Sequence, residues 1–178
     1  MSFAKYWLVM VLLLGLAGCK SDLSPSGEDK RPSVQTGIIG NQVGQIAPDF
    51  TLESTVNTFN TLSSEYGTHD AVVLYFTMWC PVCDSHMSHL RATYVRKYPN
   101  VQFFLVDYVN ATVTNAHTAQ ISNGYGNMTV LADVNQFVLN LYDGTMGTTV
   151  VVDRFGAVQM NQDYSDGSKL GKVLESLP

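Results

Sequence analysis

Ala71-Val72-Val73-Leu74-Tyr75-Phe76, followed at once by Thr77-Met78-Trp79-Cys80-Pro81-Val82-Cys83, is the stretch on which the fold turns. The first six residues are continuously β-branched, aliphatic or aromatic and are preceded by the breaker-rich Gly67 to Asp70. That pattern predicts a central strand buried on both faces. Pro81 suits the first turn of a helix, where its missing N–H is not needed. From there Cys83, Met87, Leu90 and Tyr94 recur at spacings of four, three and four, which predicts one apolar helical face ending near Tyr98-Pro99. Cys80 therefore falls at a helix N-terminus. Free N–H groups and the positive end of the helix dipole stabilise a thiolate there, so Cys80 is expected to be the exposed nucleophile. Cys83, one turn inward, is expected to be the resolving thiol.

Downstream, Val101 to Asp107 reads as a second strand, residues 112 to 122 as a helix weakened by its threonines, and Met128 to Ala132 as a short strand. Val134 to Tyr142 reads as a short helix with Phe137, Val138 and Leu141 inward. Thr148 to Val152 and Ala157 to Met160 flank Asp153-Arg154-Phe155-Gly156, a hairpin signal, and Ser168 to Leu177 closes the chain as a helix. The order is strand, helix, strand, helix, strand, helix, hairpin, helix. It predicts an α/β fold of three layers, a mixed central sheet with helices on both faces.

Upstream, a short positive start from Met1 to Lys5 precedes an apolar run from Tyr6 to Leu16, too short to span a bilayer and built like a cleavable export signal. Leu16-Ala17-Gly18-Cys19 matches the bacterial lipobox, which makes residues 1–18 a signal peptide and Cys19 the lipidated first residue. The chain is then expected to be membrane-anchored on the periplasmic or other extracytoplasmic side of a bacterial envelope. Lys20, rather than Asp, follows that cysteine. Residues 19–45 are rich in Ser, Gly, Pro and charge and read as a flexible tether. Residues 46–178 carry enough Val, Leu, Phe and Tyr for one domain with its own core, and show no internal repeat.

Of the three cysteines, this leaves Cys80 and Cys83 for the domain. A disulfide across a two-residue gap removes little entropy from the unfolded chain, so a purely structural bridge is a poor use of the pair. Outside the cytoplasm, a reversible redox couple is the better reading. A metal site remains a second reading. His86 and Met87 lie three and four residues after Cys83, and thiolate, imidazole and thioether ligands together favour copper(I). In the third, inert reading the domain is a tethered interaction module. His69 and His117 stand alone, far from any Cys-His catalytic spacing. A formal net charge of −5 argues against nucleic acid as a partner.

Ala47-Pro48-Asp49-Phe50-Thr51-Leu52, the Phe76 to Cys83 stretch and Thr148-Thr149-Val150-Val151-Val152-Asp153-Arg154-Phe155-Gly156 come in the order of the redoxin, AhpC/TSA-like and TlpA-like branch of the thioredoxin superfamily. The chain resembles that branch over almost all of residues 46–178. The resemblance implies a thiol-disulfide oxidoreductase with a TlpA-type insertion from about Asn110 to Tyr142. It implies Trp79, Pro81 and the Met146-Gly147-Thr148 loop as walls of a client groove. Protein thiol and disulfide clients and an upstream envelope redox partner are expected, with the Cys80–Cys83 disulfide serving in place of any organic cofactor.

The chain departs from the family pattern in two places. Gly147 stands where such proteins carry a cis-proline, and Leu74 where thioredoxins carry a buried acid that relays protons, leaving Asp84 as a nearby substitute. Thr77-Met78-Trp79-Cys80 also matches the Thr-x-x-Cys core of peroxiredoxins, although Val73 stands where those enzymes have proline. Thiol peroxidase activity is thus a further alternative.

Overall fold

The computed structural model of the protein describes residues 35–177. The expected export signal, the expected lipidation site Cys19 and most of the expected tether lie outside the described residues. The strand at the head of the cysteine motif, β3 (Ala71–Thr77), is buried along its whole length, with β1 (Thr51–Glu53), β2 (Phe59–Thr61) and α1 (Leu62–Thr68) before it. After it come α2 (Pro81–Leu90), β4 (Val101–Asp107), α3 (Val113–Ser122), β5 (Thr129–Ala132) and α4 (Phe137–Leu141). The chain then forms β6 (Thr148–Asp153), β7 (Val158–Asp163) and α5 (Ser168–Glu175).

Five strands form one mixed sheet in the order β5-β4-β3-β6-β7. β3 and β4 run parallel, as do β4 and β5, whereas β6 is antiparallel to β3 and β7 to β6. Alternation along β3 divides the core. Val73 and Tyr75 join Leu105, Val151 and Met160 on the face covered by Met87 and Leu90 of α2 and Leu170 and Leu174 of α5. Val72, Leu74 and Phe76 join Val150 and Val152 on the face covered by Leu62 of α1 and Val138 of α4. This is the three-layer arrangement the sequence predicts, and it carries the cysteines to the C-terminal edge of the parallel strands.

Several elements differ from their sequence expectations. The β1–β2 hairpin and α1 are additions, with runs too short to stand out from the loops around them. The helix that begins at Pro81 loses α-helical hydrogen bonding after Leu90 and continues as a π-helical turn, Arg91–Val95. Thr112 does not weaken α3: it caps it, its hydroxyl accepting the Asn115 N–H at 3.1 Å. Phe137 is exposed rather than inward, because the helix there spans little more than one turn and only Val138 reaches full burial. Between residues 37 and 46, the end of the expected tether is bound to the domain. Ile46 bridges Ala157, the Gly44 N–H donates to Val158 O at 2.8 Å, and the Asn161 side chain donates to Asn41 O at 3.0 Å. None of the described helices is long and apolar enough to cross a membrane.

Candidate active site

β3 ends at Thr77 and the chain turns sharply before α2. Trp79 makes the turn with φ of +61°, a conformation that costs a bulky residue about 1–2 kcal/mol. Two hydrogen bonds hold it there. Its N–H donates to Thr77 Oγ1 at 3.1 Å, and its indole Nε1–H donates to Asp107 Oδ2 at 2.7 Å. Asp107, fully buried at the end of β4, also accepts from the backbone N–H groups of Val109 and Asn110 and from Asn110 Nδ2. The tilted Trp79 ring lies 6.2 Å from that of Tyr125. The turn is thus fixed at both ends, which sets the direction in which Cys80 emerges.

Cys80 is the N-cap of α2, and its sulfur accepts the Cys83 N–H at 3.2 Å. It is partly exposed, Cys83 is buried, and both are free thiols with sulfurs 2.6 Å apart. Burial pushes the Cys80 thiol up, but hydrogen bonds from the Cys83 thiol and from the N–H groups of Cys83 and Val82 outweigh it, leaving Cys80 below the ordinary thiol range. A partly exposed, easily ionised thiol therefore sits against a buried one within bonding reach. This arrangement can make and break a disulfide without moving the backbone.

Around the thiols, Pro81 and Val82 are exposed on the first turn of α2, and Met78 is 44% exposed just before it. Met146 is half-buried and packs on the same core cluster as Trp79 and Cys80. Gly147 has φ of +85° and donates its N–H to Phe76 O at 3.0 Å. No cis peptide bond occurs among the described residues. Thr148 is buried, and its hydroxyl accepts the Thr145 N–H at 2.9 Å, which ties the loop to itself. It also borders a polar surface cleft of about 480 Å³ with Asn41, Asp143 and Asp163.

The sequence reads His86 and His89 as solvent-facing helix residues; His89 is exposed, whereas His86 is not. His86 is half-buried, with Nδ1 3.1 Å from the Tyr75 hydroxyl and its ring 4.9 Å from that of Tyr164. His89 is exposed but keeps Nδ1 at 2.9 Å from the Tyr164 hydroxyl. Met87 is fully buried in the core. Of the copper ligand set Cys80, Cys83, His86 and Met87, the two cysteines and His86 do not converge on one point. Among the described residues no three His, Cys, Asp or Glu side chains converge as metal ligands would. Asp84 accepts the Tyr125 hydroxyl at 2.6 Å. Leu74 sits in the layer opposite Cys83, whereas Tyr75 faces the thiols. Burial above all, with the two thiols and Tyr164 adding to it, raises the Tyr75 hydroxyl far above the ordinary phenol range. In the sequence Tyr75 carries no sign of this role, because it reads as one more aromatic in a core strand. His69 bonds locally to Glu65 O, and His117 is exposed on α3.

Among solved structures, a candidate thiol:disulfide interchange protein DsbE from Chlorobium tepidum shares 25% identity with a TM-score of 0.61, over 76% of this chain and 97% of that one. A candidate protein disulfide isomerase from Bacteroides thetaiotaomicron shares 24% identity with a TM-score of 0.64, over 76% and 90%. A secreted Mycobacterium tuberculosis disulfide oxidoreductase homologous to E. coli DsbE shares 22% with a TM-score of 0.56, over 71% and 95%. No curated protein matches the chain by sequence. Residues 43–160 match the AhpC/TSA family, a span that takes in both cysteines and most of the sheet. The fold is thioredoxin-like, the enzyme is an oxidoreductase, and the chain belongs to the AhpC/TSA family.

Proposed function

We propose that the protein is a thiol-disulfide oxidoreductase of the bacterial envelope, held at the membrane through a lipid on Cys19, that exchanges disulfides of exported proteins through Cys80 and Cys83. The observation that carries this reading is the asymmetry of the pair: Cys80 partly exposed and capped by the Cys83 N–H, Cys83 buried directly behind it. Cys80 attacks the client disulfide and forms a mixed disulfide; Cys83 then attacks Cys80 and releases the reduced client. Trp79, Pro81, Met146 and Gly147 border the groove in which a client chain lies, and Thr148 holds the loop behind it. An upstream redox partner in the envelope resets the pair, and no organic cofactor takes part. The extracytoplasmic setting is supported by the export signal and by the likeness to a secreted disulfide oxidoreductase.

The test is equilibration of the protein in thiol-disulfide buffers, with the Cys80/Cys83 state read by alkylation and mass spectrometry. A reversible two-electron couple is expected, near about −250 mV or lower for a reductant and near about −120 mV for an oxidant. Failure to find any reversible couple would sink the proposal. Rapid consumption of hydrogen peroxide, with Cys80 turning over through a sulfenic acid, would favour a thiol peroxidase instead. Thr77, whose hydroxyl would assist that chemistry, is fully buried and accepts the Trp79 N–H.

A further inference from the structure

The buried thiol poses a problem that the exposed one does not. Cys83 must lose a proton to attack the mixed disulfide, it is wholly buried, and the strand position where an acid was expected is Leu74, on the opposite side of the sheet. The face toward Cys83 instead carries the Tyr75 hydroxyl, and behind it the His86 ring with Nδ1 3.1 Å away. His86 is half-buried, so the line from Cys83 through Tyr75 ends at the surface. Gly147 lies beside this line: a Cβ at that residue would stand 3.6 Å from His86 Nδ1 and 4.0 Å from the Tyr75 hydroxyl, ordinary contact distances.

We infer that Tyr75 and His86 form a proton relay for Cys83, with Tyr75, in the same buried cluster as the reacting thiol, as the conduit and His86 as the acceptor acting through it. The inference rests on the thiol-disulfide reading above. In the resolving step Cys83 S–H passes its proton to the Tyr75 oxygen while Tyr75 O–H passes its own to His86 Nδ1, so Tyr75 ends neutral and His86 ends as imidazolium. The Cys83 thiolate bonds to Cys80 Sγ, the bond from Cys80 to the client sulfur breaks, and the client leaves with the electron pair as a thiolate that water protonates. The dithiol is oxidised, the client disulfide is reduced, and His86 returns its proton to solvent.

The surroundings suit these roles. Tyr75 resists ionisation, so it conducts a proton without holding a charge. Burial lowers the proton affinity of His86, Asp163 at the end of β7 pulls it the other way, and His89 on the same helix lowers it further. The net result is a neutral ring near pH 7, ready to accept. Tyr164 covers the ring without carrying charge, since burial and its neighbours Tyr94 and Asp166 keep its own hydroxyl protonated.

The test separates the two steps. The reduced full chain is mixed with oxidised glutathione, quenched in acid at short times, and the Cys80–glutathione mixed disulfide is followed by mass spectrometry from pH 5.5 to 9.5. In the native protein its decay should accelerate as pH rises through the His86 titration and then level off. In His86→Gln and Tyr75→Phe the decay at pH 7 should be slower by about a hundredfold, the lower end of what general acid–base catalysis supplies. It should keep climbing with pH across the whole range instead of levelling off, so that the gap to the native rate narrows toward the alkaline end. The rise of the mixed disulfide, which reports Cys80, should be unchanged. Decay profiles that keep the native shape in both variants would overturn the relay while leaving the oxidoreductase reading intact. Absence of any mixed disulfide in the native protein would remove both. If Tyr75→Phe does not fold, His86→Gln carries the test, because its side chain lies on a half-buried helix face.

Discussion

On one face of the central sheet Val72, Leu74, Phe76, Val150 and Val152 meet Leu62 and Val138, with Tyr142 as the buried tyrosine of that layer. On the other, Tyr75, Tyr94, Tyr125 and Tyr164 share one buried cluster with Cys83, with His86 and His89 bonded to two of them. Every hydroxyl in this second set has a partner: His86 for Tyr75, Gly167 O for Tyr94, Asp84 and Ser88 for Tyr125, His89 for Tyr164. A tyrosine buries a large apolar ring while leaving one polar group to be matched. The contrast shows a division of labour within one strand, because adjacent residues of β3 point to opposite layers. The dry layer supplies stability, and the hydroxyl-bearing layer supplies a polar path beneath the thiols at little cost in packing.

The sharpest way to break this comparison is to truncate on each side of β3. Leu74→Ala should cost about 2–5 kcal/mol of stability, the range for a fully buried leucine. It should leave the rise and decay of the glutathione mixed disulfide unchanged. Tyr75→Phe should cost no more than about 1.5 kcal/mol, the worth of one hydrogen bond, yet slow the decay. Urea unfolding and quenched mass spectrometry on the two variants decide the matter. Equal kinetic effects from both would show that the layers are not separate in function.

A second break targets the fixed turn. Asp107→Ala removes the acceptor for four donors: the Trp79 indole, the backbone N–H groups of Val109 and Asn110, and the Asn110 side chain. One orphaned buried donor costs about 1–3 kcal/mol, so a loss of about 2–3 kcal/mol is expected, with a shift in tryptophan fluorescence as Trp79 comes loose. Unchanged fluorescence and an unchanged urea midpoint would mean that the strained Trp79 conformation needs no such anchor.

The central strand, the N-capping Cys80 and the terminal hairpin were legible in the sequence because each rests on local chemistry: an unbroken apolar run, a proline at the first helical turn, and an Asp-x-x-Gly turn whose aspartate accepts from Phe155 and Ala157. What the sequence hid depends on which face a residue takes and what crosses to meet it. Tyr75 looks like core filler until the pairing of β3 turns it toward α2, and His86 looks solvent-facing until Tyr164, 78 residues later, covers its ring. The docking of residues 37–46 was hidden too, since their polar composition describes a tether equally well. Their bonds to Val158 and Asn161 exist only once β7 is in place.

The smallest expected effect tests how finely the loop opposite the thiols is placed. At Gly147 the backbone sits at φ of +85°, which an L-residue adopts at a cost of about 1–2 kcal/mol. The atoms nearest an added Cβ are His86 Nδ1 at 3.6 Å and Cε1 at 3.8 Å, ordinary contacts that demand no movement. Gly147→Ala should therefore lower stability by the backbone term alone, about 1–2 kcal/mol in urea unfolding, and its effect should add to that of His86→Gln in the double variant. A proline could not take the place, because the Gly147 N–H is committed to Phe76 O and proline requires a negative φ. If the alanine costs much more than this, or the double variant departs from additivity, then the new methyl group is pressing on the histidine. The space over the Tyr75–His86 pair would then be held open by the glycine itself, and the loop would be part of the polar layer rather than a lid beside it.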